Sequence, residues 1–183
     1  MASTRVIDPS LLVIACFSRH SDALTWAAER LSETYGPVAL VSPDFDFHHT
    51  SYYEAEMGAG LRKRFLVFDK LVPSDCLPDV KNRTNQLEQE LSQQGRFSEP
   101  RPLNLDPGLV QLGKFLLATT KDQAHRIYLR DGIFAEVTLR FQDGAYEPWP
   151  WTYADYREPA YRAFLKEARE LLRLRLEKSR RTS

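Results

Sequence analysis

The sequence predicts an α+β fold, one sheet with its helices packed mainly on one face, and three observations carry that prediction. Leu11 to Phe17 is an unbroken apolar run of strand length, as expected for a strand buried on both faces. His125 to Tyr146 alternates apolar and polar residues around Asp-Gly turn signals, the pattern of an antiparallel meander. Three further segments repeat apolar residues at helical spacing.

Taken in order, the first helix follows Ser21, with Leu24, Ala28, Leu31 and Tyr35 on one stripe, Gly36 at its C-terminal cap and Pro37 barring continuation. Val38 to Val41 is the next strand. The strand-helix-strand unit is expected to be parallel and right-handed. Arg64 to Phe68 reads as a third strand, and Pro73 with Ser74 opens a helix striped by Leu77, Val80, Thr84, Leu87 and Leu91. Gln93 to Pro102 is a polar loop, and Gly108 to Ala118, after Pro107, reads as a short helix. In the meander, three-residue loops at Arg130–Gly132 and Gln142–Gly144 pair Leu129 with Ile133 and set Arg126 opposite Glu136. That register puts His125, Ile127, Leu129, Ile133, Ala135, Val137, Leu139 and Phe141 on an apolar face, and Arg126, Tyr128, Phe134, Glu136, Thr138 and Arg140 on a polar outer face. Asp155 with Glu158 has capping-box spacing ahead of Pro159, which opens an amphipathic last helix through Tyr161, Phe164, Leu165, Ala168 and Leu176. The order is similar to a ferredoxin-like plait with an added antiparallel β-meander.

The 183 residues, 43% hydrophobic and 27% charged, suit one compact domain over 1–183 with short flexible ends near 1–9 and 179–183. Lysines plus arginines and aspartates plus glutamates both total 25, so no net positive field holds nucleic acid or an anionic membrane. No nucleic-acid partner is expected. Cys16 and Cys76 have no motif spacing, which argues against a disulfide framework or a thiolate metal site and fits a reducing compartment. The start of the chain lacks the features of a signal peptide, and the longest apolar run is far short of the roughly 18 residues of a membrane span. A cytoplasmic, non-membrane protein is expected.

Few residues suggest chemistry. Asp44, Asp46, His48 and Thr50 alternate with Phe45 and Phe47, so an extended backbone would put two carboxylates, an imidazole and a hydroxyl on one side, half of a hard-metal or acid-base site with Asp44, Asp46 and His48 as the metal-ligand candidates. His48-His49-Thr50 matches one H-x-T element of the two-histidine phosphoesterases without the second copy such enzymes need. Thr119-Thr120-Lys121-Asp122 resembles a guanine-reading element but lacks its spacing, and no glycine-rich phosphate loop accompanies it. Lys121, His125, Arg126 and Arg140 gather at one end of the meander as donors for a phosphate or carboxylate, with Glu136 beside them as a ready partner for Arg126. Thr50, Tyr53, Glu56 and Arg157 lie in aromatic and polar segments of the kind that line clefts.

The motifs Thr50 to Gly58, Asn104-Leu105-Asp106-Pro107-Gly108, Ala118 to Leu129, Gly132 to Glu136, and Trp151 to Arg157 together resemble a bacterial family known as domain of unknown function 4416. The resemblance spans nearly the whole chain and implies no assigned catalytic residues, cofactor or substrate. Two functions remain in view. One is a structural or interaction domain whose polar residues satisfy one another; the other is a domain, enzymatic or not, that binds a small anionic ligand such as a phosphate or nucleotide. Unpaired basic side chains in a pocket would favour the second, and a fully paired network the first.

Overall fold

The computed structural model describes residues 3, 7–47 and 53–182. Nine strands among the described residues form one sheet, ordered β2-β4-β1-β5-β6-β8-β7, with β3 on β4 and β9 on β8, and every pairing is antiparallel. β1 (Ser10–Ser18) is buried at all nine positions because it is central, paired to β4 (Arg62–Val72) and to β5 (Asn104–Val110). β2 (Val38–Val41) also pairs with β4, so β1 and β2 run in the same direction, as the strand-helix-strand pattern predicts, but with β4 inserted between them.

Alternation along β1 divides the core. Leu12, Ile14 and Cys16 meet α1 (Ser21–Tyr35) and α3 (Leu77–Gln93), whereas Leu11, Val13 and Ala15 meet α4 (Pro159–Thr182) across the opposite face. One-sided helix packing therefore holds for α1 and α3 but not for α4, whose stripe of Tyr161, Phe164, Leu165, Ala168, Leu172 and Leu176 covers the other side. α1 ends as its sequence requires: Gly36 has φ +88° and its N–H bonds the Ser32 carbonyl. α2 (Glu54–Met57) is a single turn, and β3 (Phe45–Asp46) a single two-residue bridge.

The helix expected over Gly108 to Ala118 is instead a hairpin of β5 and β6 (Lys114–Thr119). Its side chains obey a period of two, Phe115 and Leu117 packing toward α4 and Leu116 and Ala118 toward α3, so both faces are buried and the run has no polar side to betray it. Gly108 is required there, since a Cβ would stand 2.4 Å from the Leu116 carbonyl oxygen.

The meander joins β7 (Arg126–Arg130), β8 (Ile133–Gln142) and β9 (Ala145–Pro148). Its turns are two residues long rather than three. Asp131 and Gly132 have φ +54° and +75°, Asp143 and Gly144 +49° and +81°, the signature of type I′ turns. A bulge between Tyr128 and Arg130 absorbs the odd residue, which is why Arg126 still faces Glu136. The faces are the reverse of the expectation in one respect: Arg126, Glu136 and Thr138 are buried, while Ile127 and Leu129 on the edge strand are exposed. The segment 149–157 lies over the polar face and seals it; Thr152 donates to the Thr138 carbonyl at 2.6 Å and the Trp151 indole to Val137 at 3.2 Å. Both cysteines are free, Cys16 buried with its thiol pushed up by that burial, and Cys76 half-buried.

Candidate functional site

The site begins where the sheet comes apart. β5 and β6 pair only from Gly108–Leu117 to Val110–Phe115. N–H and C=O groups alternate in direction along a strand, and the next pair beyond Leu109 and Leu116 would fall on Pro107, which has no N–H to give. Two residues further, Leu105 turns its backbone toward the missing neighbour, and α3 supplies the replacements: the Glu88 carboxylate accepts from the Leu105 N–H at 2.7 Å and the Lys81 ammonium donates to its carbonyl at 2.8 Å. Side chains from a helix thus stand in for a strand, and the strands separate around a cavity of about 490 Å³.

Charged groups wall this cleft. Pairing across β4, β1 and β5 sets Lys63, Phe17 and Asn104 in one row and Phe65, Ala15 and Asp106 in the next. Lys63 is 2% exposed; its ammonium lies 2.6 Å from the Asp155 carboxylate and within 6 Å of the rings of Phe17, Phe47, Phe65, Tyr156 and Tyr161, the closest being Tyr156 at 4.5 Å. A carboxylate and the negative faces of five rings together offset the desolvation of that charge. Lys81 also reaches Asp106 at 3.4 Å. Burial pushes the Asp106 carboxyl up, but the Lys81 and Lys63 ammoniums outweigh it and hold the group below the usual carboxylate range. Glu88 goes the other way: its burial is the largest influence and raises it against the pull of Lys81 and Arg101. Arg101 bonds Glu88 at 3.2 Å and the Asn104 side-chain oxygen, and Asn104 Nδ2 finds no partner of good hydrogen-bond geometry. Burial pushes the Tyr53 and Tyr153 phenols up, so they present neutral hydroxyls at neutral pH.

Of the residues suggested by the sequence, Tyr53, Lys121 and Glu136 line the cleft. Arg126 stands behind Glu136, bonding it at 3.0 Å, the Tyr153 hydroxyl at 2.5 Å and the Lys121 carbonyl at 2.9 Å. His125 bonds the same Glu136 oxygen at 3.1 Å and stacks on Trp151. Glu56 sits at the rim, 3.6 Å from Arg101. Arg140 is not part of this group: it pairs with Glu147 at 3.4 Å and lies over the Trp149 ring, so the expected cluster of Lys121, Arg126 and Arg140 does not form. Arg157 is spent on the carbonyls of Trp149, Pro150 and Thr152. Thr50 and His48 fall outside the described residues. Asp44 is tied to Arg64 at 2.5 and 2.9 Å and Asp46 is exposed, and no cluster of three or more His, Cys, Asp or Glu suited to a metal occurs among the described residues. Asp155 is not the cap of the last helix. It sits in a turn of 3-10 helix, Asp155–Arg157, and its carboxylate is turned into the sheet toward Lys63.

Lys63, Lys81, Arg101, Asn104 and Asp106 are the site residues that sequence reasoning did not reach, and Asp155 reads from sequence as a helix cap. A signal existed for one pair. Leu77, Lys81, Thr84, Glu88 and Leu91 recur every three or four residues, so a lysine and a glutamate share the inward stripe of α3.

Fold and site together define an α+β protein with one antiparallel sheet opened locally around a charged, aromatic-walled cleft. The chain belongs to the family described as Domain of unknown function (DUF4416), whose profile matches residues 8–172. No curated protein and no solved structure matches it.

Proposed function

We propose that this chain is a small-ligand-binding domain whose site is the cleft between β5 and β6. The observation that carries the reading is the break in the ladder at Pro107, because the opened space is walled by Lys63, Lys81, Arg101, Asp106, Glu136 and Asp155 rather than filled by apolar side chains. Closed packing would cost less than burying so many charges, so an open, charged cavity calls for an occupant. Lys63, Lys81 and Arg101 on its wall each face a carboxylate, which suits a polar organic molecule more than a polyphosphate. A structural domain with a self-paired network is the second reading, and its support is that Lys63, Lys81, Arg101 and Arg126 each already have a partner.

The strand order β5-β1-β4-β2 with α1 and α3 on one face supports a ferredoxin-like plait to which β6 to β9 are appended, the whole forming one domain. Two free cysteines support a reducing, cytoplasmic setting, and no helix among the described residues is long and apolar enough to cross a membrane. The deciding experiment is a thermal-shift screen of nucleotides, sugar phosphates and carboxylates against the wild type and Lys81→Met. A ligand at 100 times its dissociation constant stabilises by about 2.7 kcal/mol. Stabilisation of the wild type that Lys81→Met loses supports the site; a silent panel supports the structural network.

A further inference from the structure

The three carboxylates on the cleft wall are each held by a cation: Asp155 by Lys63 at 2.6 Å, Glu136 by Arg126 at 3.0 Å and Asp106 by Lys81 at 3.4 Å. Whatever enters must be compatible with pairs of opposite charge set side by side. A bare anion gains from each ammonium and is repelled by the carboxylate next to it. A planar apolar ring gains the aromatic wall but strips solvent from the charges without offering them a partner. A hydroxyl differs from both, because it donates to a carboxylate and accepts from an ammonium at the same time. Hydroxyl groups can therefore be inserted along such pairs while both charges stay satisfied.

Resting on the reading of the cleft as a ligand site, we infer that its ligand is polyhydroxylated: a sugar, cyclitol or sugar acid. Phe17, Tyr53, Tyr153 and Tyr156 form the aromatic part of the wall, against which the C–H groups of a sugar can pack. A volume of about 490 Å³ holds a phosphorylated hexose and lies within the range of small-molecule sites. The pairing that favours a purely structural role thus becomes the means of recognition, since Lys63–Asp155 and Lys81–Asp106 each set a donor and an acceptor side by side on the cleft wall.

The test is a titration of the full chain followed by calorimetry and by backbone amide chemical shifts. D-Gluconate and D-glucose 6-phosphate are the hydroxylated probes, myo-inositol the uncharged one, and hexanoate, benzoate and inorganic phosphate the anions without hydroxyl groups. The expected result is that gluconate or glucose 6-phosphate binds about tenfold or more tightly than any anion lacking hydroxyls, with shifts centred on Asn104, Thr119 and Tyr153. A deoxy analogue missing one bound hydroxyl should lose about tenfold, a readout that does not depend on any variant folding. Myo-inositol binding more weakly than the charged probes, at the same amides, assigns the remaining affinity to the acidic group. Hexanoate, benzoate or phosphate binding there as tightly as the sugars overturns the hydroxyl inference and leaves the cleft a ligand site. No shift at the cleft with any probe overturns both.

Discussion

β1 and the first half of β5 lie side by side, yet they meet the demands of burial by opposite means. β1 is enclosed by strands on both edges and by apolar side chains on both faces, so its backbone and side chains are satisfied by generic partners. β5 between Asn104 and Pro107 has a strand on one edge only, and on the other its backbone is closed by Lys81 and Glu88. A strand neighbour fills space as it closes the ladder; a long side chain closes it and leaves space behind. Ordering a buried lysine or glutamate gives up about 1.5–2 kcal/mol of rotamer freedom, and its charge must be matched, so this second solution carries a cost that β1 avoids. The comparison locates the cleft in the part of the sheet where stability was traded for room.

The largest response comes from breaking a pair inside the cleft. Asp155→Ala strands the buried Lys63 ammonium and should lower unfolding free energy by about 3–5 kcal/mol in urea titration, whereas Lys63→Met with Asp155→Leu should be neutral or stabilising. A loss from Asp155→Ala no greater than that of an exposed pair would break the comparison at its centre. Lys81→Met should cost about 1–3 kcal/mol by orphaning the Leu105 carbonyl, and Glu88→Gln less, because an amide oxygen still accepts from the Leu105 N–H. Equal losses for the two would mean that the backbone substitution is not what these side chains contribute. Gly132→Val, at φ +75° with open space around its Cβ, should cost about 1–2 kcal/mol from backbone strain alone and leave ligand response intact, since that turn stands apart from the cleft.

The smallest effect lies at the surface. Glu99 bridges Arg19 at 3.0 Å and His20 at 2.7 Å, and the His20 hydrogen bond first of all holds its carboxyl down at about 2. A carboxyl lower in the folded than in the unfolded chain stabilises above its unfolded value and loses that contribution as pH falls through the folded one. The melting temperature of Glu99→Gln should therefore lie slightly below wild type at pH 6 and converge with it as pH approaches 2. A gap that persists or widens in acid would contradict the assignment.

How much of this was legible follows the same division. β1, α1, α3 and α4 were readable because each rests on local periodicity within one element, whereas the opposition of Arg126 and Glu136 survived a wrong turn length only because the bulge between Tyr128 and Arg130 restores the register. The β5–β6 hairpin was not, since Asp106-Pro107-Gly108 carries helix-opening residues and the apolar run after it is buried on both faces, which removes the polar alternation that marks a strand. The cleft was missed for a different reason. Lys63, Lys81, Asp106 and Asp155 come from β4, α3, β5 and the turn before α4, and only the strand order brings them together. Asp155 shows the hazard most plainly: its spacing from Glu158 and Pro159 satisfies the rule for a cap, and the carboxylate is committed to Lys63 instead.

The seam at Gly108–Val110 bears on how the molecule transmits force. Among the described residues, the strand pairing between the plate formed by β2, β4, β1 and β5 and the plate formed by β6, β8, β7 and β9 runs over three pairs, from Gly108–Leu117 to Val110–Phe115. α3 packs against β5, β6 and β8, and α4 against β5 and β9, so each helix acts as a splint across the joint from its own side. A seam of three pairs, braced by a helix on each surface, is where the sheet is expected to yield first under load, at the edge of the cleft.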